Sequence, residues 1–132
     1  MNEFHLQIAT PDGLIYDGAA ESLLVNTADG DVEILASHAD LIASVGIGRA
    51  RIKIGGTERF ASASGGFLSV KGNEVKLVCT TFEFADLIDV ERAERAKEKA
   101  EELLSTAKDD AQIRAAEAKL SRALNRIKVA NM

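Results

Sequence analysis

Three arginines near the end of the sequence are spaced so that two helices can bring them together. Arg122 and Arg126 are four residues apart, which places them on one face of a helix, and Arg92 lies in an earlier alanine-rich segment. If the two segments form an antiparallel hairpin that turns near Lys108, the three arginines meet at its open end, beside the rest of the chain. Guanidinium groups close to the free N–H groups of a helix N-terminus form a good site for a phosphate-like anion.

The same spacing is also typical of an ordinary solvated helix face. Glu91, Glu94 and Glu98 lie close to Arg92 in the sequence and can form surface ion pairs with it. Such pairs are common and contribute little stability, and spacing alone favours this simpler interpretation. Both an anion site and a charged surface therefore remain open at this point.

No catalytic signature accompanies these arginines. Ser64-Gly65-Gly66 lacks the Gly-x-Ser-x-Gly pattern of a nucleophile elbow, and the glycines of the chain are expected in turns or bulges. The single cysteine, Cys79, excludes an internal disulfide and a multi-cysteine metal site, and it is expected to be a small buried hydrophobe. With two histidines in the chain, no metal site is expected, and His38 is expected in a loop or at an interface.

Composition indicates a globular protein without a basic nucleic-acid-binding face. The 132 residues are 46% hydrophobic and 28% charged, and 21 acids against 16 bases leave a net charge of −5. No apolar run approaches the ~20 residues that span a bilayer, and no signal peptide is visible. We therefore expect no bound nucleic acid and no direct membrane insertion.

The chain divides into two parts of different character. All ten glycines lie at or before Gly72, and the only proline is Pro11. Residues 1–85 carry 11 acids and 6 bases, whereas residues 86–132 carry 10 of each. We expect a domain at 1–85 and a second at 86–132 that packs against it, because no flexible linker separates them.

The first part is predicted to be an all-β sandwich of eight to ten short strands. Apolar and polar residues alternate from Phe4 to Ile8, which is the period of a half-buried strand. Turn sequences then follow at regular spacing, including Pro11-Asp12-Gly13, Asp17-Gly18, Asp29-Gly30, Gly55-Gly56 and Gly72-Asn73.

The second part is predicted to be an antiparallel two-helix hairpin. Asp89 and Asp109 are placed to cap the two helices, and Gln112 completes a capping box with Asp109. Small apolar residues, mainly alanines, repeat at helical spacing in both segments. The repeat comprises Ala93, Ala96, Ala100, Leu103 and Ala107 in the first segment and Ile113, Ala116, Leu120, Ala123 or Leu124, and Ile127 in the second. An alanine seam buries little apolar area, so the hairpin can open without melting its helices. A rigid alanine-rich hairpin is the alternative interpretation.

Two sequence blocks carry a resemblance to a known family. Ser64-Gly65-Gly66-Phe67 is similar to a Ser-Gly-Gly-Phe stretch, and Ile88-Asp89-Val90-Glu91-Arg92-Ala93 is similar to an Ile/Leu-Asp-x-x-Arg-Ala motif. Both belong to the epsilon subunit of bacterial F-type ATP synthases, which the whole chain resembles. A third block, 30–41, is similar to a glycine- and proline-rich loop of the family but carries Glu33, Ala36 and Asp40 at its usual glycine and prolines.

The resemblance implies a non-catalytic rotor subunit in the central stalk. Its sandwich is expected to contact the gamma subunit and the c-ring, coupling rotation to catalysis, on the cytoplasmic face of the bacterial membrane. Its hairpin is expected to reach the alpha and beta catalytic subunits when extended, and to inhibit ATP hydrolysis there. In some members the folded hairpin binds ATP.

The resemblance also implies which residues bind ATP as a regulatory ligand, with or without magnesium, and no catalytic cofactor. Arginines are expected on the phosphates, Ile88 on the adenine, and Ala93 as the residue that leaves room for the ligand. Lys99 stands where an arginine can occur, and its role is left open. The implied set is Glu83, Ile88, Asp89, Arg92, Ala93, Arg122 and Arg126.

Two other functions remain as alternatives. One is a purely structural rotor subunit whose hairpin is permanently folded. The other is a free-standing nucleotide-binding regulator without a membrane complex, against which the sandwich motif argues. The same hairpin sequence serves the inhibitory and the structural role, so the sequence does not choose between them.

Overall fold

The chain forms seven β-strands followed by two α-helices. A computed structural model describes residues 2–132. The strands are β1 Phe4–Thr10, β2 Gly13–Ala20, β3 Ser22–Thr27, β4 Gly30–Leu35, β5 Leu41–Ile54, β6 Thr57–Lys71 and β7 Glu74–Phe84. The helices are α1 (Val90–Thr106) and α2 (Asp110–Ala130), and a short 3₁₀ turn at Ala85–Leu87 precedes α1. The predicted fold class, a β-sandwich followed by a helical hairpin, is confirmed.

The strands form one sheet that folds over its own core. Their order is β2-β1-β7-β6-β5-β3-β4, and all neighbours are antiparallel except β1 and β7, which are parallel. Ile8 near one end of the sheet and Ile34 at the other are both completely buried in the same core. The two ends must therefore face each other as the layers of a sandwich. Every residue of this core lies at or before Phe84, so the sandwich does not need the helices to bury it.

The predicted number of strands is wrong, because two strands are long. β5 has 14 residues and β6 has 15, longer than the short strands that the sequence pattern predicted. Their pairing is interrupted between Val45 and Gly48, opposite Ala63 and Gly66. At Gly66 the backbone has φ 133°, and a Cβ would lie 1.8 Å from the Val78 carbonyl oxygen. Glycine is required there because the neighbouring strand leaves no room for a side chain.

Most predicted turns are present, and one is not. Gly55 and Gly56 join β5 to β6 with φ 56° and 81°, as expected for a hairpin turn with two positive φ angles. Asp17-Gly18 lies inside β2 instead of ending a strand. The reason is that β2 continues along β1 as far as Ala20, and the Asp17 side chain bonds across to His5.

The helices begin where the capping residues predicted. The Asp89 carboxylate accepts a hydrogen bond from the Arg92 N–H at 3.1 Å, and the Asp109 carboxylate accepts one from the Gln112 N–H at 2.8 Å. The Gln112 side-chain oxygen in turn accepts from the Lys108 N–H at 2.8 Å, one residue earlier than in a standard capping box. These bonds satisfy N–H groups that no helical partner can reach.

The alanine seam of the hairpin is present as predicted, except that Leu103, which the spacing also placed in it, is 39% exposed. Ala93 and Ala100 of α1 and Ala116 and Ala123 of α2 are all buried, with at most 3% of their surface exposed. No helix among residues 2–132 is both long and apolar enough to cross a bilayer. Because the fully buried residues of this seam are alanines, the two helix axes can approach closely while burying little area.

A histidine joins three strands on the surface of the sandwich. His5 of β1 bonds Asp17 of β2 through Nε2 and the Glu74 Oε2 of β7 through Nδ1, the latter at 2.6 Å. The hydrogen bond to Asp17 is the largest cause that raises the pKa of His5 above its ordinary 6.5, and the hydrogen bond to Glu74 is the second. The pKa of Asp17 is lowered from 3.8, chiefly by the same bond. The doubly protonated ring suits this position because each nitrogen faces an acceptor.

We expect the thermal stability of the protein to fall as pH rises above 6.5, through the raised folded-state pKa of His5. A folded-state pKa above 6.5 means that His5 contributes its stability fully below pH 6.5 and loses it as the folded residue deprotonates. Thermal melts across this pH range measure the effect. His5→Gln should flatten the decline of the melting temperature with pH, and His38→Gln should leave that decline in place. An unchanged decline in His5→Gln would show that His5 is not its cause.

Candidate functional site

A cleft of about 520 Å³ lies between the helical hairpin and the sheet. Both helices and strands β1, β2, β6 and β7 contribute to its walls. The residues that line it are Thr10, Asp12, Ile15, Ser62, Ser64, Thr80, Thr81, Phe82, Glu83, Arg92, Ala96, Lys99, Ala100, Leu103, Lys119, Arg122, Ala123 and Arg126. A cavity of this volume is large enough for a nucleotide-sized ligand.

The charge on the helical wall is strongly positive. Five cations line the cleft, whereas Asp12 and Glu83 are its only carboxylates. The cations are Arg92, Lys99, Lys119, Arg122 and Arg126. In a chain of net charge −5, this concentration of positive charge is local and favours an anionic ligand.

One of the five cations is already neutralised. Arg126 donates to Glu83 through two nitrogens, with Nε–Oε1 at 2.6 Å and a second contact of 3.3 Å to Oε2. The Arg126 side chain is only 19% exposed. This two-point ion pair joins α2 to the end of β7, so Arg126 both holds the helix in place and keeps its remaining N–H groups near the cleft.

The other four cations have no carboxylate within 4 Å among residues 2–132. In particular, Arg92 forms no ion pair with Glu91, Glu94 or Glu98, so the solvated charge-pair interpretation of this face does not describe the structure. Uncompensated guanidinium and ammonium groups that converge on one cleft repel each other. An anion bound among them would remove that repulsion.

The opposite wall is lined by hydroxyl groups of the sheet. Ser62 and Ser64 of β6 are nearly completely buried, and Thr80 and Thr81 of β7 lie beside them. A hydroxyl can donate or accept a hydrogen bond, so this wall suits ribose or phosphate oxygens. No cluster of three or more His, Cys, Asp or Glu side chains within residues 2–132 is arranged to hold a metal ion.

The structure brings together four of the seven residues that the resemblance implied. Glu83, Arg92, Arg122 and Arg126 line the cleft, and Lys99 does as well. The other three lie outside its walls. Ile88 and Ala93 are buried, at 8% and 0% exposure, and the Asp89 carboxylate caps α1. These three residues therefore set the position of the first turn of α1, which carries Arg92.

Two further residues of this region, Lys119 and Asn125, do not belong to the site predicted from the sequence. Lys119 lies three and seven residues before Arg122 and Arg126, so its helical spacing was a signal that it shares their face. Asn125 donates through its Nδ2 to the Gly48 carbonyl and to the Ser62 hydroxyl, both at 2.9 Å. No sequence pattern indicates such a contact, because it joins residues 63 and 77 positions apart.

The hairpin is attached to the sandwich through α2. This helix contacts β5, β6 and the 3₁₀ turn, and its last turn buries Val129 completely. Asn125 and Arg126 provide the polar part of the attachment. The cleft exists only while these contacts hold, because α1 reaches the sandwich mainly as the partner of α2.

Family models match the two parts of the chain. Residues 3–85 match the ATP synthase delta/epsilon chain beta-sandwich domain, and residues 86–131 match the ATP synthase delta/epsilon chain long alpha-helix domain. The chain is 42% identical to the ATP synthase epsilon chain of Bacillus velezensis over 130 residues, 98% of each protein. It is 39% identical to the ATP synthase epsilon chain of Halalkalibacterium halodurans, again over 98% of each.

Two solved structures share the fold at low sequence identity. A chain of the Euglena gracilis mitochondrial ATP synthase superposes with a TM-score of 0.82 at 22% identity, covering 98% of this chain and 82% of that one. A central-stalk chain of the Tetrahymena thermophila mitochondrial ATP synthase gives 0.67 at 14% identity, covering 96% and 95%. The arrangement of sandwich and helices is therefore shared with these two chains.

Asn125→Ala should weaken the attachment of the hairpin to the sandwich. The substitution leaves the Gly48 carbonyl and the Ser62 hydroxyl without their partner, at a cost of about 1–3 kcal/mol. Amide hydrogen exchange should show faster exchange in α2, and urea unfolding should show the loss of stability. Asn131→Ala is the matched control, because the Asn131 side chain bonds only the Ile127 carbonyl of its own helix among residues 2–132. Equal effects of the two substitutions would contradict a docking role for Asn125.

Proposed function

The chain belongs to the ATP synthase delta/epsilon chain family, and from this premise we propose that it is the epsilon subunit in the central stalk of an F-type ATP synthase. It is an accessory subunit of the complex and not a catalytic one. The match of both parts of the chain, in the same order and at nearly full length, supports the proposal.

The sandwich is proposed to contact the gamma subunit and the c-ring, which places the protein at the cytoplasmic face of the membrane as a peripheral component. Exposed apolar side chains support a role for the sandwich in binding partners. Ile42 of β5 is 80% exposed, Leu35 at the end of β4 is 52% exposed, and Phe67 of β6 is 47% exposed. Side chains of this kind are normally covered in an assembly.

The hairpin is proposed to inhibit ATP hydrolysis when it extends toward the alpha and beta subunits, and to bind ATP when it is folded. The cleft carries this proposal, because its walls come from both helices and the sheet. A ligand that touches all three walls binds only the folded hairpin. At one hundred times its Kd, such a ligand stabilises the folded state by about 2.7 kcal/mol.

Each residue of the site has a role that its position supports. Arg92 and Arg122 have no ion-pair partner within residues 2–132 and are proposed to bind phosphate oxygens. Arg126 contributes its remaining N–H groups while Glu83 orients it. Asp89 acts indirectly by capping the turn that carries Arg92, and the buried Ile88 and Ala93 act as packing residues of that turn. Direct contact of Ile88 with adenine has no support from its position.

The isolated chain should bind ATP, and replacement of either unpaired arginine by alanine should weaken that binding at least tenfold. A hydrogen bond between charged groups contributes about 1.5–3 kcal/mol, and tenfold corresponds to about 1.4 kcal/mol. Calorimetric titration with and without magnesium measures the affinity of wild type, Arg92→Ala and Arg122→Ala. Arg114→Ala is the matched control, since Arg114 is an exposed α2 residue outside the cleft. Equal binding by all four proteins would show that ATP does not use this cleft.

Removal of residues 86–132 should raise ATP hydrolysis by the assembled enzyme. The core of the sandwich lies wholly at or before Phe84, so the truncated subunit should keep its fold and its place in the complex. The measurement is ATP hydrolysis by complexes that contain the full-length or the truncated chain. An unchanged rate would favour the alternative, a structural rotor subunit whose hairpin is permanently folded by contacts such as those of Asn125 and Arg126.

A further inference from the structure

The loop between β4 and β5, residues 36–40, contains an unfavourable backbone conformation. Among residues 2–132, Ser37 is the only residue other than glycine with a positive φ angle, 64°. A residue with a Cβ disfavours this region, so the conformation persists only where the surrounding structure holds it. The family loop that this segment resembles carries prolines where this chain has Ala36 and Asp40. Because proline restricts its own φ angle and the residue before it, this chain needs another restraint on the loop.

Two side chains supply such a restraint by joining the loop to the turn between β6 and β7. The Asn73 Oδ1 accepts a hydrogen bond from the Ser37 N–H at 2.8 Å. In the opposite direction, the Asp40 carboxylate accepts one from the Gly72 N–H at 3.1 Å. Each segment therefore provides a side-chain acceptor for a backbone N–H of the other. Because hydrogen bonds are directional, this reciprocal pair fixes both the distance and the orientation between the loop and the turn.

The turn that receives these bonds is itself fixed to the sheet. The His5 N–H of β1 donates to the Asn73 carbonyl at 2.8 Å, and the His5 Nδ1 bonds the Glu74 Oε2 at 2.6 Å. The loop is thus attached to a turn that β1 and β7 hold from the other side. A loop attached to a rigid support keeps one shape in the free protein.

The loop lies at the end of the sandwich that is remote from the entry to the hairpin. β7 begins at Glu74, next to the loop, and ends at Phe84, where the chain leaves the sandwich for the helices. Its 11 residues separate these two ends by roughly 35 Å. Leu35 and Ile42, which flank the loop, are 52% and 80% exposed. Exposed apolar residues on both sides of a fixed loop are typical of a contact surface.

We propose that Asp40 and Asn73 are positioning residues, which hold the 36–40 loop in the shape that docks on the c-ring. Their hydrogen bonds take the place of the restriction that prolines give the family loop. This inference rests on the proposed function, in which the hairpin extends toward the catalytic subunits and the sandwich contacts the c-ring at its other end. A loop that already has its bound shape loses less conformational entropy on docking and therefore binds more tightly.

The test combines two measurements on Asp40→Ala in the full chain. Amide hydrogen exchange at Ser37, followed by NMR, measures the order of the loop. Rebinding to ATP synthase complexes depleted of this chain measures docking. The substitution removes the acceptor of the Gly72 N–H, yet it should speed exchange at Ser37 at least about threefold and weaken rebinding about fivefold. The melting temperature should hardly change, because the core of the sandwich is untouched.

Three further variants separate the shape of the loop from its charge. Asp40→Asn keeps an acceptor oxygen without the charge and should retain wild-type exchange and rebinding. Asp40→Pro removes the acceptor but restricts the backbone, and it should keep rebinding within about twofold of wild type. Asp29→Ala is the matched control, because it removes the same charge from the exposed turn between β3 and β4, and it should change neither measurement.

The partner is identified by comparing complexes that contain the c-ring with the catalytic portion that retains the gamma subunit but lacks the ring. The loss in Asp40→Ala should appear only when the ring is present. An equal loss without the ring would show that the loop docks elsewhere, and it would overturn the proposal.

Other contrary results are equally distinct. Wild-type rebinding by Asp40→Ala, or unchanged exchange at Ser37, would overturn the positioning role. Equal weakening by Asp40→Ala, Asp40→Asn and Asp40→Pro would show that the partner contacts the carboxylate itself, which also overturns that role. Failure of the wild-type chain to rebind would overturn the proposed function on which this inference rests. The exchange measurement distinguishes this last case, because it needs no partner.

Discussion

The docking of α2 on the sandwich is the contact on which the site depends. Val129 in the last turn of α2 is completely buried, and Asn125 and Arg126 supply hydrogen bonds to Gly48, Ser62 and Glu83. The sandwich itself is independent of this contact, because its core contains only strand residues. The protein thus joins a self-sufficient β-domain to a hairpin held by a small, partly polar interface. A ligand of modest affinity can shift such a hairpin between its docked and undocked states, since a free energy of a few kcal/mol decides which state is populated.

The electrostatics of the cleft and the weakness of the alanine seam act together. Four of the cations that line the cleft have no carboxylate partner in the described part of the chain, residues 2–132, and their mutual repulsion works against the folded hairpin when no anion is present. Methyl groups in the seam add little area to oppose that repulsion. A bound polyanion would make the electrostatic contribution to the free energy of the folded hairpin favourable instead of unfavourable. Folding of the hairpin and occupancy of the cleft are therefore expected to be coupled, which is the physical basis of the proposed regulation.

Local features of the structure could be predicted because their causes are local. Asp89 and Asp109 cap helices through side chains that reach N–H groups three residues away, and the Gly55-Gly56 turn needs only its own backbone angles. The alternation that begins at Phe4 identified β1 for the same reason. The length of β5 and β6 could not be predicted, because a long strand that bends at a pairing gap looks like two short ones in sequence.

The sequence by itself determined the class of fold, the positions of the caps, the alanine seam and the helix faces that carry Arg92, Arg122 and Arg126. Only the tertiary structure decided which of the predicted site residues share the cleft with Glu83 and which, like Ile88, are buried outside its walls. It also revealed Asn125, whose two partners come from distant strands. Helical period and capping depend on neighbours within one or two turns, whereas the contents of a cleft depend on how α2 packs on the sheet, which no local pattern encodes.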